Sequence, residues 1–114
     1  MKLNAKQVEF TRCQAEFQVW CFENGYPIIE AESFRPRWVA EEYARRGIGI
    51  KNSVHTKKLG RDLFRVVDGK ISWNIEDYAP LGAEWKRRHK LARWGGDFRN
   101  RDAVHFSFEH NGVM

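Results

Sequence analysis

The chain has 114 residues, with 20 Lys and Arg against 15 Asp and Glu, a formal charge of +5 and 14% aromatic residues. That length suits one domain with a single core and excludes a catalytic unit carrying a separate binding module. The aromatic content excludes a disordered chain, the charge favours anionic partners such as nucleic acid, lipopolysaccharide or wall polymers, and no apolar run reaches the roughly 20 residues of a membrane span.

Asn4 can cap a first helix whose apolar residues Phe10, Cys13, Phe17, Trp20 and Cys21 recur at helical spacing, with Asn24-Gly25 as its stop. Val8, Ala15, Val19 and Phe22 form a second apolar row, so the helix is expected to be covered on more than one side. Cys13 and Cys21 lie about two turns apart, too far to bridge, and read as core thiols of a reducing compartment. The opening residues Met1 to Gln7 lack the apolar core of an export signal, so accumulation in the cytoplasm is expected.

Tyr26 to Ser33 reads as a short strand delivering Arg35 at its end, and Pro36 opens a second helix over Arg37 to Arg46, stopped by Gly47. Gly47-Ile48-Gly49-Ile50-Lys51 lacks the third glycine of a dinucleotide fingerprint and reads as a connection. Leu59 to Val67 is a strand, Asp68-Gly69 a hairpin turn, and Lys70 to Trp73 the returning strand. A third helix is expected from about Asp77 to Leu91, with Trp85 facing inward, Pro80 disturbing the first turn and the basic run Lys86 to Lys90 solvated. Ala103 to Phe108 is the closing strand. The expected architecture is a single α+β domain over residues 1–114, a mainly antiparallel sheet with about three helices.

Period-two alternation puts Gly60, Asp62, Phe64 and Val66 on one strand face, which leaves Asp62 as a lone carboxylate among small and apolar neighbours. Such a group needs a cation, a metal or a raised pKa. Arg61 and Arg65 project from the other face, so an arginine partner would have to come from elsewhere. His105 points away from Val104, Phe106 and Phe108. Two histidines and a carboxylate, His55, Asp62 and His105, could together supply the three protein ligands of a hydrolytic zinc site.

The block Asn52-Ser53-Val54-His55 leading to Asp62-Leu63, followed by Asp102-Ala103-Val104-His105-Phe106, resembles the zinc DD-carboxypeptidase and L-alanyl-D-glutamate peptidase family, the VanY-like cell-wall metallopeptidases with a Hedgehog/DD-peptidase-like fold. The similarity runs from Ser33-Phe34-Arg35-Pro36 through Asp68-Gly69-Lys70 and Trp94-Gly95-Gly96 to His105-Phe106-Ser107, and phage endolysins are the members most alike. The resemblance implies that His55, Asp62 and His105 bind Zn2+, that Asp102 is the catalytic base, and that Arg35 and Ser53 contact substrate. Lys58 stands where many members have glycine, Gly60 where they have alanine, and Pro36 where many carry a small hydroxyl residue.

The implied substrate is the bacterial peptidoglycan stem peptide, cut between L-alanine and D-glutamate. The implied enzyme is a monomer that waits in the host cytoplasm until lysis, with no membrane insertion and no nucleic-acid partner. A D-alanyl-D-alanine carboxypeptidase is the alternative within the family. Outside it stands a basic nucleic-acid-binding module, which the charge and interleaved aromatics suit although no recognised signature accompanies them. A catalytically dead wall-binding relative is a third reading, against which all four catalytic positions stand intact. Glu109 is a rival base by alternation, about 13 Å from His105 along an extended strand. His89 and His110 are left outside the site.

Overall fold

The computed structural model describes residues 1–31, 37–45 and 54–114, without the side chains of Ala40, Tyr43, His55 and Thr56. Its elements run α1 (Leu3–Glu23), β1 (Ile28–Glu30), α2 (Arg37–Arg45), a 3₁₀ turn (Val54–Lys57), β2 (Gly60–Val67), β3 (Lys70–Ile71), α3 (Ile75–Arg88), β4 (Ala92–Trp94), a second 3₁₀ turn (Gly95–Asp97) and β5 (His105–Phe108). The strands form an antiparallel sheet in the order β1-β2-β5-β4, with β3 pairing β2 through the Asp68-Gly69 turn. Both turn residues adopt positive φ, 52° and 77°, as a tight hairpin requires. The α+β class with three helices is as the sequence predicts.

One face of the sheet carries the core. Leu63 and Phe106 on β2 and β5 are fully buried, together with Phe17 of α1 and Tyr78 and Trp85 of α3. Phe17 packs its ring 5.2 Å from Phe106 and 5.4 Å from Trp85, and Phe10 lies 5.2 Å from Phe108. Burial of each such ring contributes on the order of 2–3 kcal/mol, so this aromatic cluster is the main adhesive between helices and sheet. Trp85 also donates its indole N–H to the carbonyls of Arg93 and Ser107, which ties α3 to both β4 and β5.

The second apolar row of α1 is not covered: Val8, Val19 and Phe22 are 67%, 55% and 60% exposed. α1 packs through one stripe only, because the sheet and α3 together occupy a single side of it. The helix also starts one residue before Asn4, with Lys2 at the cap position and no side-chain cap bond. Both cysteines are buried and unpaired, and burial pushes the Cys21 thiol up to about 12.

α3 begins at Ile75, two residues earlier than its composition suggests, and so carries Pro80 more than a turn inside. Tertiary bonds offset the lost backbone bond. Ser72 Oγ donates to the Asp77 carboxylate at 2.5 Å, and the Tyr78 hydroxyl donates to the Ser72 carbonyl while accepting from the Arg65 N–H, both at 2.9 Å. These anchor the first turn of α3 to the β2–β3 hairpin. β4 is a strand the sequence does not announce, since Ala92-Arg93-Trp94 is three residues long and follows a basic run.

Candidate metal centre

Asp62 and His105 are opposite residues of the β2–β5 ladder, and alternation turns both side chains to the sheet face away from the helices. Asp62 Oδ1 lies 3.4 Å from His105 Nδ1. Asp102 joins them from the loop before β5, so that one donor atom from each of Asp62, Asp102 and His105 lies within 4.8 Å of the other two. His105 is buried, Asp62 half-buried and Asp102 exposed, a gradation from the sheet outward to solvent.

The Trp94-Gly95-Gly96 segment holds the Asp102 loop in place. The Trp94 ring slots between Gly82 of α3 and Gly96, where an added Cβ would come within 2.2 and 2.3 Å of the ring. Its indole N–H donates to the Ala103 carbonyl at 2.8 Å. The Gly95 carbonyl accepts from the Asp102 N–H at 2.9 Å, and the Asp102 carbonyl from the His105 N–H at 3.1 Å. A Cβ at Gly95 would fall 2.0 Å from the Asp102 carbonyl oxygen and 2.9 Å from the His105 Cβ, so only glycine lets this turn seat.

The far nitrogen of His105 is also fixed. Nε2 lies 2.5 Å from the main-chain oxygen of Met114, which accepts from Ser107 Oγ at 2.6 Å as well. A main-chain oxygen can only accept, so this contact puts a proton on Nε2 and leaves Nδ1 as the nitrogen turned toward Asp62. Met114 reaches this position because residues 110–113 fold back on themselves: His110 and Val113 form a bridge, with positive φ at Asn111 and Gly112. Glu109, the rival base, accepts from the Gly112 N–H at 2.5 Å and so braces this turn.

An imidazole nitrogen and a carboxylate oxygen turned toward one another are a pair of ligand atoms that one divalent cation can join. Their 3.4 Å separation matches the roughly 3.3 Å between two ligands on a tetrahedral ion with bonds of about 2.0–2.1 Å. Nitrogen and carboxylate donors suit divalent first-row metals, and the residues present fit one.

The neighbouring arginines do not serve Asp62. Arg61 pairs with Glu30, and the Arg65 guanidinium lies 4.7 Å over the Tyr26 ring and donates to the Asp77 carbonyl. His89 stacks on Phe108 at 4.5 Å, and His110 Nδ1 lies 3.0 Å from Lys6 Nζ, so neither enters the cluster. His55 belongs to the Val54–Lys57 turn that leads into β2, but its side chain lies outside the described residues, as do Arg35 and Ser53 entirely. Lys58, in the position where glycine is common among the proteins the sequence resembles, has φ of 55°, the left-handed conformation glycine favours. The sequence does not point to Met114 at all, and it singles out Ser107 only as the end of the His105-Phe106-Ser107 stretch of the resemblance.

A surface hollow lined by Ala15, Glu16, Val19, Trp20, Glu23 and Arg88 belongs to the helical layer, across the sheet from the metal group. It holds none of the cluster's residues. No helix among the described residues is long and apolar enough to cross a membrane.

No protein-family model matches the chain. No curated protein matches it. Among solved structures it is similar to the L-Ala D-Glu endopeptidase ChiX of Serratia marcescens, with a TM-score of 0.68 and 21% identity over 90% of this chain and 77% of that one. The likeness is one of fold: the small α+β architecture described above.

Proposed function

We propose that the chain is a peptidoglycan hydrolase, a zinc peptidase that cleaves the L-alanyl-D-glutamate bond of the cell-wall stem peptide and acts as an endolysin. The observation that carries this reading is the convergence of Asp62, Asp102 and His105 on the open face of a sheet whose fold is shared with an L-Ala D-Glu endopeptidase.

In this reading His55, Asp62 and His105 hold the metal. When bound, zinc supplies Lewis acidity and lowers the pKa of a water toward about 7. Met114 and Ser107 keep the His105 ring turned so that Nδ1 faces Asp62, from where it would hold the metal. Asp102, exposed at the mouth of the site, takes the proton from the attacking water and returns it to the departing amine of D-glutamate. Arg35 offers a planar two-point donor to a substrate carboxylate, and Ser53 a hydroxyl to the peptide. The enzyme works as a monomer, held in the host cytoplasm until lysis gives it access to the wall.

The test is digestion of purified peptidoglycan with and without a chelator, with released ends identified by mass spectrometry. New D-glutamate amino termini, lost with chelator and restored by zinc, are the expected result. Free D-alanine would assign a carboxypeptidase instead, and no metal-dependent product would overturn the hydrolase reading.

A further inference from the structure

Two rows of side chains lie side by side on the open face of the sheet. The first is the polar pair Asp62 and His105. Two residues along β2 from Asp62 comes Phe64, which alternation places on the same face. Phe64 is opposite Ile29 of β1. On its other side the Ser72 N–H donates to the Arg65 carbonyl, extending the ladder one residue past β3 and bringing Trp73 opposite Phe64, with ring centroids 5.5 Å apart at 64°. Ile29 is 48% exposed and Trp73 75%. Single exposed apolar residues are ordinary, but this is a continuous ledge abutting a candidate catalytic group.

We propose that the Ile29-Phe64-Trp73 ledge seats the muramic-acid sugar of peptidoglycan, with the Trp73 ring stacked on one face of the pyranose. The proposal rests on the L-alanyl-D-glutamate reading above and names the part of the substrate that reading leaves unplaced. In peptidoglycan the L-alanine is joined directly to the lactyl group of the sugar. The scissile carbonyl is therefore separated from the sugar by one residue and one lactyl unit, together spanning about 7 Å when extended. The ledge is displaced from the Asp62–His105 row by two strand residues, also about 7 Å. For cleavage between the terminal D-alanines, four residues and the lactyl unit would intervene, about 18 Å, and no sugar would reach the ledge.

Chemistry selects the same end of the substrate. Beyond D-glutamate the stem peptide is charged and finds nothing to pair with on Ile29, Phe64 and Trp73. The acetamido sugar is uncharged over its ring, and its C–H groups meet the electron-rich face of an indole favourably.

The experiment compares N-acetylmuramyl and N-acetyl forms of the same L-alanyl-D-glutamyl peptide. In the wild type the muramyl form is expected to have the higher kcat/KM. In Trp73→Ala the ratio of the two is expected to fall about tenfold, chiefly through KM, and Trp73→Phe should keep most of it. Alongside, the zinc-free protein is titrated with the methyl glycoside of N-acetylmuramic acid while the Trp73 indole N–H signal is followed by NMR. Cleavage of both peptides with an unchanged ratio and an unmoved Trp73 signal would overturn the ledge and leave the peptidase intact. Cleavage of neither peptide with a saturable shift at Trp73 would overturn the peptidase and keep the sugar site.

Discussion

The two faces of the sheet are built on opposite principles, although the same strands supply both. On the helical side Leu63, Phe106, Phe17, Trp85 and Phe108 are fully buried and apolar, and their attraction is non-directional and spread over many atoms. On the open side Asp62, His105 and Asp102 are brought together at the cost of desolvation and repulsion between carboxylates, and they are held by a few directional bonds. The first face stabilises the fold, and the second holds the candidate metal group at some cost to that stability. Mutations on the two faces should therefore separate stability from activity.

The sharpest separation is expected from the proposed ligands. Asp62→Asn and His105→Ala should each lower peptidoglycan hydrolysis by on the order of a thousandfold and abolish stoichiometric metal, measured by elemental analysis. Asp102→Asn should retain metal while kcat falls by about 10²–10⁴, the worth of a general base. Loss of metal in Asp102→Asn would place Asp102 among the ligands. Asp62→Asn should cost little in urea unfolding, because it also removes one of two adjacent carboxylates.

Trp85→Ala, on the other face, should cost about 3–5 kcal/mol in urea unfolding, as it leaves a cavity and strands the Arg93 and Ser107 carbonyls. A cost under about 1 kcal/mol would break the comparison, since the core would then not depend on its aromatic cluster.

Gly95→Ala tests the seam between the faces. The added methyl meets the Asp102 carbonyl and the His105 Cβ, so a loss of about 1–3 kcal/mol is expected together with weakened binding of the proposed zinc by chelator competition. Destabilisation with unchanged zinc affinity would mean that the Asp102 loop moves without carrying the site with it.

The smallest effect concerns His110. Burial first, then the Lys6 and Lys57 charges, lower its pKa below 6.5. The unfolded chain thus binds the proton more readily, so this contribution to stability is complete above pH 6.5 and declines as the pH falls below it. Protonation also removes the acceptor that Nδ1 offers Lys6 Nζ at 3.0 Å. His110→Asn should flatten the slope of stability as the pH falls below 6.5, followed by thermal unfolding.

Much of this was readable along the chain. The β2 strand, its Asp68-Gly69 turn, the separation of Asp62 from Arg61 and Arg65, and the inward Trp85 all follow from period and turn chemistry, and each is found. Apolar spacing misled at Val8, Val19 and Phe22, because a helix stripe says which residues can be buried but not whether a partner is there to bury them. β4 escaped because three residues carry too little pattern. The start of α3 escaped because its residues Asp77 and Tyr78 are tethered to Ser72 and Arg65 of the β2–β3 hairpin.

Alternation by itself determined which side chains share a face of β2 and β5, since the direction of a side chain in a strand is fixed by local covalent geometry. Which faces meet was decided only in three dimensions. Asp102 reaches Asp62 because Trp94 finds its slot between Gly82 and Gly96 and Gly95 admits the loop, and His105 is turned by the main-chain oxygen of Met114. Those contacts join different elements and loops, and a backbone oxygen or a missing Cβ leaves no signature in residue pattern. The tertiary structure alone placed them, because close approach is a property of packed surfaces and not of any single stretch of chain.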